Sequence, residues 1–277
     1  NVNFTPPTSL GAQFPNANST KCTITCYTYT SAGTHIGTTT NAFDLNVPSY
    51  TPTGSVALTG VNLLNGAYVE NKSSATVNIT APTTNLYGAS IKSYSTVIDG
   101  KTYTAQSFTT SVLSSGTKTA TTTITDSRGK KVSVNSASIT VYAYSIPYIT
   151  SFSLARQSDG TTVVASLKGG FAAINNKNTK TIKVTLNGVT NTVTSSAYTF
   201  DTTTTFTNVS TDQTFTATLT LTDSYTTVTK TAVLPTVSVT MDFYKDGNGI
   251  AMGKVAEQGN LLDVAWNMNV DGNVTGK

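Results

Sequence analysis

Apolar and polar residues alternate along most of the chain with a period of two, the spacing of a β-strand that turns one face inward. The alternation is self-similar. Thr119-Ala120-Thr121-Thr122-Thr123-Ile124-Thr125-Asp126-Ser127 returns as Thr216-Ala217-Thr218-Leu219-Thr220-Leu221-Thr222-Asp223-Ser224, an offset of 97 residues. That is the size of one immunoglobulin-like sandwich. Ala120, Thr122 and Ile124 share one face, as do Ala217, Leu219 and Leu221, and Thr covers the other. Asp-Ser then closes the strand as a turn, where a short polar side chain bonds the local backbone.

Each copy leads into a further strand and a proline junction. Ser138-Ile139-Thr140-Val141-Tyr142 runs to Pro147, and Val228 through Leu234 runs to Pro235. A weaker echo opens the chain. Cys22-Thr23-Ile24-Thr25-Cys26 aligns with Ala120 to Ile124, and Phe43-Asp44-Leu45-Asn46-Val47 leads to Pro48. The map is therefore residues 1–50 as the C-terminal part of one module, 51–146 and 147–240 as two full modules, and 241–277 as a β-hairpin segment for assembly. Gly, Asn, Asp and Ser separate the apolar runs, as at Asp99-Gly100, Ser115-Gly116 and Asn187-Gly188, and the Asp-Gly and Asn-Gly pairs predict hairpins. The fold class is all-β: tandem Ig-like β-sandwiches with short proline linkers, forming an elongated rod.

The pattern changes after Pro235, and Thr nearly vanishes after Thr240. Met241 to Lys254 reads as strand, tight turn and strand, with Ile250 and Met252 on one face. Gly249 and Gly253 mark turns or close backbone approach. Leu261 to Val270, with the only Trp at Trp266, reads as a second apolar strand. Two such strands build no core alone, so they are expected to pack on a module, a following domain or symmetry mates.

Composition agrees with β structure. Charged residues make up 11% of the chain, against about 25% in an ordinary domain. Thr fills about a fifth of all positions and suits a solvated pleated surface. The hydrophobic fraction of 38%, with 13 Tyr and 10 Phe, is enough for packed cores and argues against disorder. The net charge of +4 is spread along the chain, so no phosphate-tracking patch forms and nucleic acid is not an expected partner. No apolar run is long enough for a membrane-spanning helix.

No catalytic, cofactor-binding or metal-binding residue is assigned. Cys22 and Cys26 lie on one face of a strand, roughly 13 Å apart, too far to bond to each other. They are expected to be buried free thiols filling a core; intermolecular pairing is the alternative. His35, the only His, sits in a glycine-flanked turn and is expected to be exposed. The Asp residues at 99, 126, 159, 223, 246 and 271 stand in turn settings. Asp246-Gly247-Asn248-Gly249 lacks the spacing and terminal Glu of a calcium loop. Asn78-Ile79-Thr80 is one of several chance triplets in a Thr-rich chain.

Gly249-Ile250-Ala251-Met252-Gly253-Lys254-Val255-Ala256, followed by Leu261-Leu262-Asp263-Val264-Ala265-Trp266, resembles a motif of minor structural tail proteins from siphophages of streptococci and related Gram-positive bacteria. In that family tandem Ig-like modules precede a G-I-A-x-G-K-x-A-E hairpin. Phe4-Thr5-Pro6-Pro7-Thr8-Ser9-Leu10-Gly11 and Pro15-Asn16-Ala17 resemble its N-terminal modules. The resemblance implies a virion tail protein, a spacer that presents a receptor-binding tip to the bacterial surface and carries no catalytic residues. It implies partners too: other tail proteins, and the chain itself as a homotrimer through residues 241–277. A bacterial cell-surface glycan is a further partner if the modules bind sugar, for which Tyr142, Tyr144 and Tyr148 offer rings. The alternatives are a carbohydrate-binding sandwich module and a bacterial surface adhesin stalk.

Overall fold

The computed structural model describes residues 5–82, 86–237, 241–254, 256 and 258–265. The chain divides into two compact units, residues 1–144 with 174–177, and residues 145–173 with 178–277.

The first unit opens with a 3-10 helix, Thr8–Gln13, which the alternation did not predict. Strands β1 (Ser19–Tyr29) and β2 (His35–Asn46) follow as an antiparallel two-stranded sheet. Then come β3 (Ser55–Val61), β4 (Tyr68–Val69), β5 (Ser74–Thr80), β6 (Ile91–Ile98), β7 (Lys101–Tyr103), β8 (Ser107–Thr109), β9 (Gly116–Lys118), β10 (Thr121–Asp126), β11 (Lys131–Asn135) and β12 (Ile139–Tyr142). They form a four-stranded sheet in the order β11-β10-β6-β7 and a three-stranded sheet β3-β5-β8. A third sheet, β4-β12-β9, pairs β4 with β12 in parallel.

The two larger sheets meet through Val56, Val77, Ile79, Ile98, Ala120 and Ile124. Ala75, Leu113 and Val141 make a smaller cluster beside them. The expected inward face of β10 is inward: Ala120, Thr122 and Ile124 are all fully buried. Thr122 tolerates burial because its hydroxyl meets that of Thr96 at 2.8 Å, so neither polar atom is left unpaired. The Asp99-Gly100 hairpin is present between β6 and β7, with positive φ at both residues, as a two-residue type I′ turn requires.

The second unit contains β13 (Tyr148–Arg156), β14 (Val163–Gly170), β15 (Lys180–Leu186), β16 (Val189–Val193), β17 (Thr199–Phe206), β18 (Phe215–Asp223) and β19 (Thr227–Leu234). Sheets β13-β14-β17 and β16-β15-β18-β19 enclose one core. Its centre is Leu167, Ile182, Val184, Ala217, Leu219 and Leu221, each at most 2% exposed. The alternation along β18 is complete, with Ala217, Leu219, Leu221 and Asp223 buried and every Thr between them less so. Both units are thus built from β-sandwiches of the Ig-like kind.

After the second sandwich, β20 (Asp242–Phe243) and β21 (Ile250–Met252) form the expected hairpin, and β22 (Leu262–Val264) joins β21 in parallel. Of the second apolar strand expected over 261–270, Leu262–Val264 is strand, and Trp266 through Val270 lie outside the described residues. Gly249 does mark a close approach, since a Cβ there would fall 2.6 Å from the Gln258 carbonyl.

Candidate functional site

The acidic residues that could suggest chemistry are used locally. Asp126 is fully buried. One of its oxygens accepts the N–H groups of Arg128 at 3.0 Å and Lys130 at 2.8 Å, and the other accepts the Tyr50 hydroxyl. Burial, and then the bond to Asp126, push the Tyr50 hydroxyl pKa up, with Arg128 opposing. Asp223, its counterpart in the repeat, accepts the N–H groups of Tyr225 at 2.8 Å and Thr226 at 2.9 Å, and Asn178 donates to it at 3.2 Å. Asp159 holds Thr161 and Thr162 in the same manner. The expected turn role is what these three residues do.

Asp99 accepts from the Ser114 N–H at 2.8 Å and faces the Lys118 ammonium at 2.7 Å. Asp246 lies in a turn closed by Gly247 N–H to the Tyr244 carbonyl at 2.7 Å. Asp271 lies outside the described residues. Among the described residues no group of three or more His, Cys, Asp or Glu could hold a metal ion, and no helix is long and apolar enough to cross a membrane.

The two arginines collect carbonyls, a role the sequence did not signal. Arg128, only 7% exposed, donates to the carbonyls of Gly11 (2.7 Å), Ala17 (2.8 Å), Leu86 (2.7 Å) and Tyr87 (2.8 Å). Its guanidinium also stands 6.0 Å from the ring centroids of Phe14 and Tyr50. It thereby fastens the 3-10 helix to the sandwich. The fit is close: Gly88, with φ +85°, leaves no room for a Cβ against Ala12. Arg156 does a similar job in the second unit, reaching the carbonyls of Gly160 and Ser210 at 2.7 Å each.

Tyr142 ends β12, and Tyr144 follows with the Lys72 ammonium 5.5 Å from its ring. Tyr148 begins β13 in the other unit and is 48% exposed. Asn78 sits on β5 and accepts a bond from Ser107, consistent with a strand position of no special chemistry.

The remaining candidate surface is the β1–β2 ribbon. Its cysteines are free, Cys22 half-buried and Cys26 exposed. The expectation of two buried core thiols is therefore wrong. The cause is physical: the equivalent face of β10 packs against Val56 of β3 and Val77 and Ile79 of β5, whereas among the described strands β1 and β2 pair only with each other. Ile24, Ile36, Tyr27 and Tyr29 are exposed as well. His35 is exposed as expected, although it opens β2 rather than sitting in a loop. Its ring lies 5.4 Å from that of Tyr29, and its Nε2 bonds Thr38 at 2.8 Å. No second titratable side chain forms a catalytic pair with it among the described contacts. Lys21 and Asp44 form an exposed ion pair across the ribbon at 2.9 Å.

No curated protein matches the chain significantly. Solved structures similar to it include a 1.5-MDa bacterial ice-binding adhesin, at 14% identity and TM-score 0.39 over 88% of this chain and 74% of that one. Down Syndrome Cell Adhesion Molecule Ig domains are similar at 13% identity and TM-score 0.29, over 80% and 27%. Clostridium thermocellum CbhA fibronectin(III)-like modules are similar at 7% and 0.27, over 65% and 93%. Likenesses at this level carry no functional inference. A family model described as "Siphovirus protein of unknown function (DUF859)" matches residues 1–275.

Proposed function

Because the chain belongs to this siphovirus family, we propose that it is a non-enzymatic structural protein of the phage tail, a spacer that carries host-contact parts toward the bacterial surface. The observation that carries this reading is the use made of the carboxylates. Asp126 and Asp223, the buried ones, are spent on their own turn N–H groups, as is Asp159. Self-contained sandwich cores linked by a few residues suit a spacer. The likeness of Gly249–Lys254 to the streptococcal siphophage hairpin supports a tail position, and residues 241–277 are the segment assigned to threefold self-assembly and to contact with neighbouring tail proteins.

Immunogold electron microscopy of purified virions, with antibody raised against the full chain, tests the location. Gold along or at the end of the tail is expected. Gold confined to the capsid, or none on intact virions, overturns the reading. Light scattering of the full chain tests the assembly: a mass that is a multiple of three chains is expected, and a strict monomer or a simple dimer removes the threefold part.

A further inference from the structure

The ribbon has an open edge whose orientation can be assigned. The Val47 N–H donates to the Asn18 carbonyl at 2.9 Å, and the Thr30 N–H to the Thr34 carbonyl at 2.8 Å. In an antiparallel ladder, residues that exchange backbone bonds with the neighbouring strand alternate with residues that exchange none. The even-numbered residues Thr20, Cys22, Ile24, Cys26 and Thr28 therefore turn their N–H and C=O groups toward β2. The odd-numbered Lys21, Thr23, Thr25 and Tyr27 turn theirs outward, where no described strand pairs with them. The same edge is filled in both repeats: β10 carries β6 there, and β18 carries β15. A long unpaired edge is a template for another strand.

The residues on this edge say which strand. Thr20-Lys21-Cys22-Thr23-Ile24-Thr25-Cys26-Tyr27-Thr28 reads the same in both directions, Lys21 and Tyr27 excepted. A sequence symmetric about its centre matches a twofold antiparallel pairing, in which residue i meets j and j meets i. Centred on Ile24, that register sets Ile24 on Ile24 of a second copy, Thr23 on Thr25 and Thr20 on Thr28. Lys21 lies opposite Tyr27, a cation beside an aromatic ring, and no like charges oppose each other. Cys22 faces Cys26.

We propose that β1 is a self-association edge through which two copies of this chain pair, antiparallel, over Thr20–Thr28. The outward N–H and C=O groups of the odd-numbered residues make the new ladder, and β2-β1-β1-β2 becomes a four-stranded sheet. Two-stranded ribbons are marginal in water, whereas three or more strands with an apolar face are stable. The even-numbered residues then occupy the close, non-hydrogen-bonded positions, with opposing Cα atoms about 4.5 Å apart, inside the range for a disulfide. The pairing is twofold and independent of the threefold assembly assigned to residues 241–277.

The test is thiol crosslinking of the full chain by copper phenanthroline in air, read on non-reducing gels and by mass spectrometry. A covalent dimer linked Cys22 to Cys26 is expected. Cys22→Ser alone and Cys26→Ser alone should each lose it, because a remaining thiol then faces serine. Mixing the two variants should restore it, since Cys26 of one chain meets Cys22 of the other. Single variants that crosslink as well as the parent, or a mixture that stays unlinked, overturn the register. Thr25→Pro removes an outward N–H while sparing the bonds to β2. Loss of the twofold step, read as a halved mass in sedimentation velocity at unchanged melting temperature, is expected, and a mass equal to the parent's refutes the edge.

Discussion

The hairpins β1–β2 and β10–β11 are built from the same pattern and end in opposite states. Both alternate Thr with small or apolar residues, and both are antiparallel. Along β10 and the residue before it, the inward Ala120, Thr122 and Ile124 are fully buried, whereas on β1 Ile24, the counterpart of Thr122, is 43% exposed and Cys26, the counterpart of Ile124, is exposed too. The turns differ likewise. The β10–β11 turn holds Arg128 against four carbonyls from other segments. The β1–β2 turn at Thr30–Thr34 closes on itself, and nothing lies within 4 Å of a Cβ placed on Gly33. Alternation specifies which face a residue occupies; a facing sheet decides whether that face is dry.

The largest test of this contrast is a pair of isoleucine truncations, one on each inward-type face. Ile124→Ala should destabilise the first unit by about 2–5 kcal/mol, through lost transfer energy and the cavity left behind. Ile24→Ala should stay within about 0.5 kcal/mol, as for other exposed positions. Urea unfolding of the two variants decides it. Equal losses would mean that the ribbon face is covered in solution as thoroughly as the sandwich core.

Next in size is the arginine in the turn. Arg128→Met keeps much of the stem packing and removes every guanidinium bond. It should cost about 2–3 kcal/mol, because buried carbonyls at Gly11 and Leu86 lose charge-assisted partners. The 3-10 helix should loosen first, seen as faster amide exchange at Leu10 and Phe14, whose N–H groups bond Pro7 and Gly11. Arg156→Met, at a more exposed site, should cost less.

Much of the fold was legible because β structure writes a period of two into the chain and its turns demand particular residues. Asn187-Gly188, like Asp99-Gly100, was readable as a hairpin turn, and both of its residues have positive φ. The Asp-Ser strand ends were readable because a carboxylate two residues from a backbone N–H has few better uses. What stayed hidden depends on distant partners. Arg128 gathers acceptors from residues 11, 17, 86 and 87, a set that no local spacing announces. The exposure of Cys26 follows from the absence of a covering sheet among the described strands, which its alternation with Thr cannot express. The edge of β1 is a mixed case: its symmetry is in the sequence, but that its outward groups are unpaired is known only from the ladder.

The smallest effect separates two ion pairs of the same type, Lys118–Asp99 in the sandwich and Lys21–Asp44 on the ribbon. The first is largely covered, with side chains 14% and 16% exposed, and the second is open, at 79% and 58%. Burial pushes the Asp99 carboxyl up, but the Lys118 ammonium and the hydroxyl and N–H of Ser114 outweigh it and hold the pKa at about 2. A carboxyl held below its unfolded-state value adds stability that is present above that value, near pH 4, and lost as pH falls through the folded value, near pH 2. The full shift corresponds to somewhat more than 2 kcal/mol, and residual solvent screening reduces it to about 1–2 kcal/mol. The parent chain should therefore lose stability more steeply than Asp99→Asn between about pH 4 and pH 2, with the two curves converging at the acid end. Asp44→Asn should change neutral-pH stability by under about 0.5 kcal/mol, and added salt should erase that difference while leaving most of the Asp99 effect. Thermal melts across this pH range, with and without salt, read both. Parallel curves for the parent and Asp99→Asn would place Asp99 in the same solvated class as Asp44 and remove this distinction between the covered sandwich and the open ribbon.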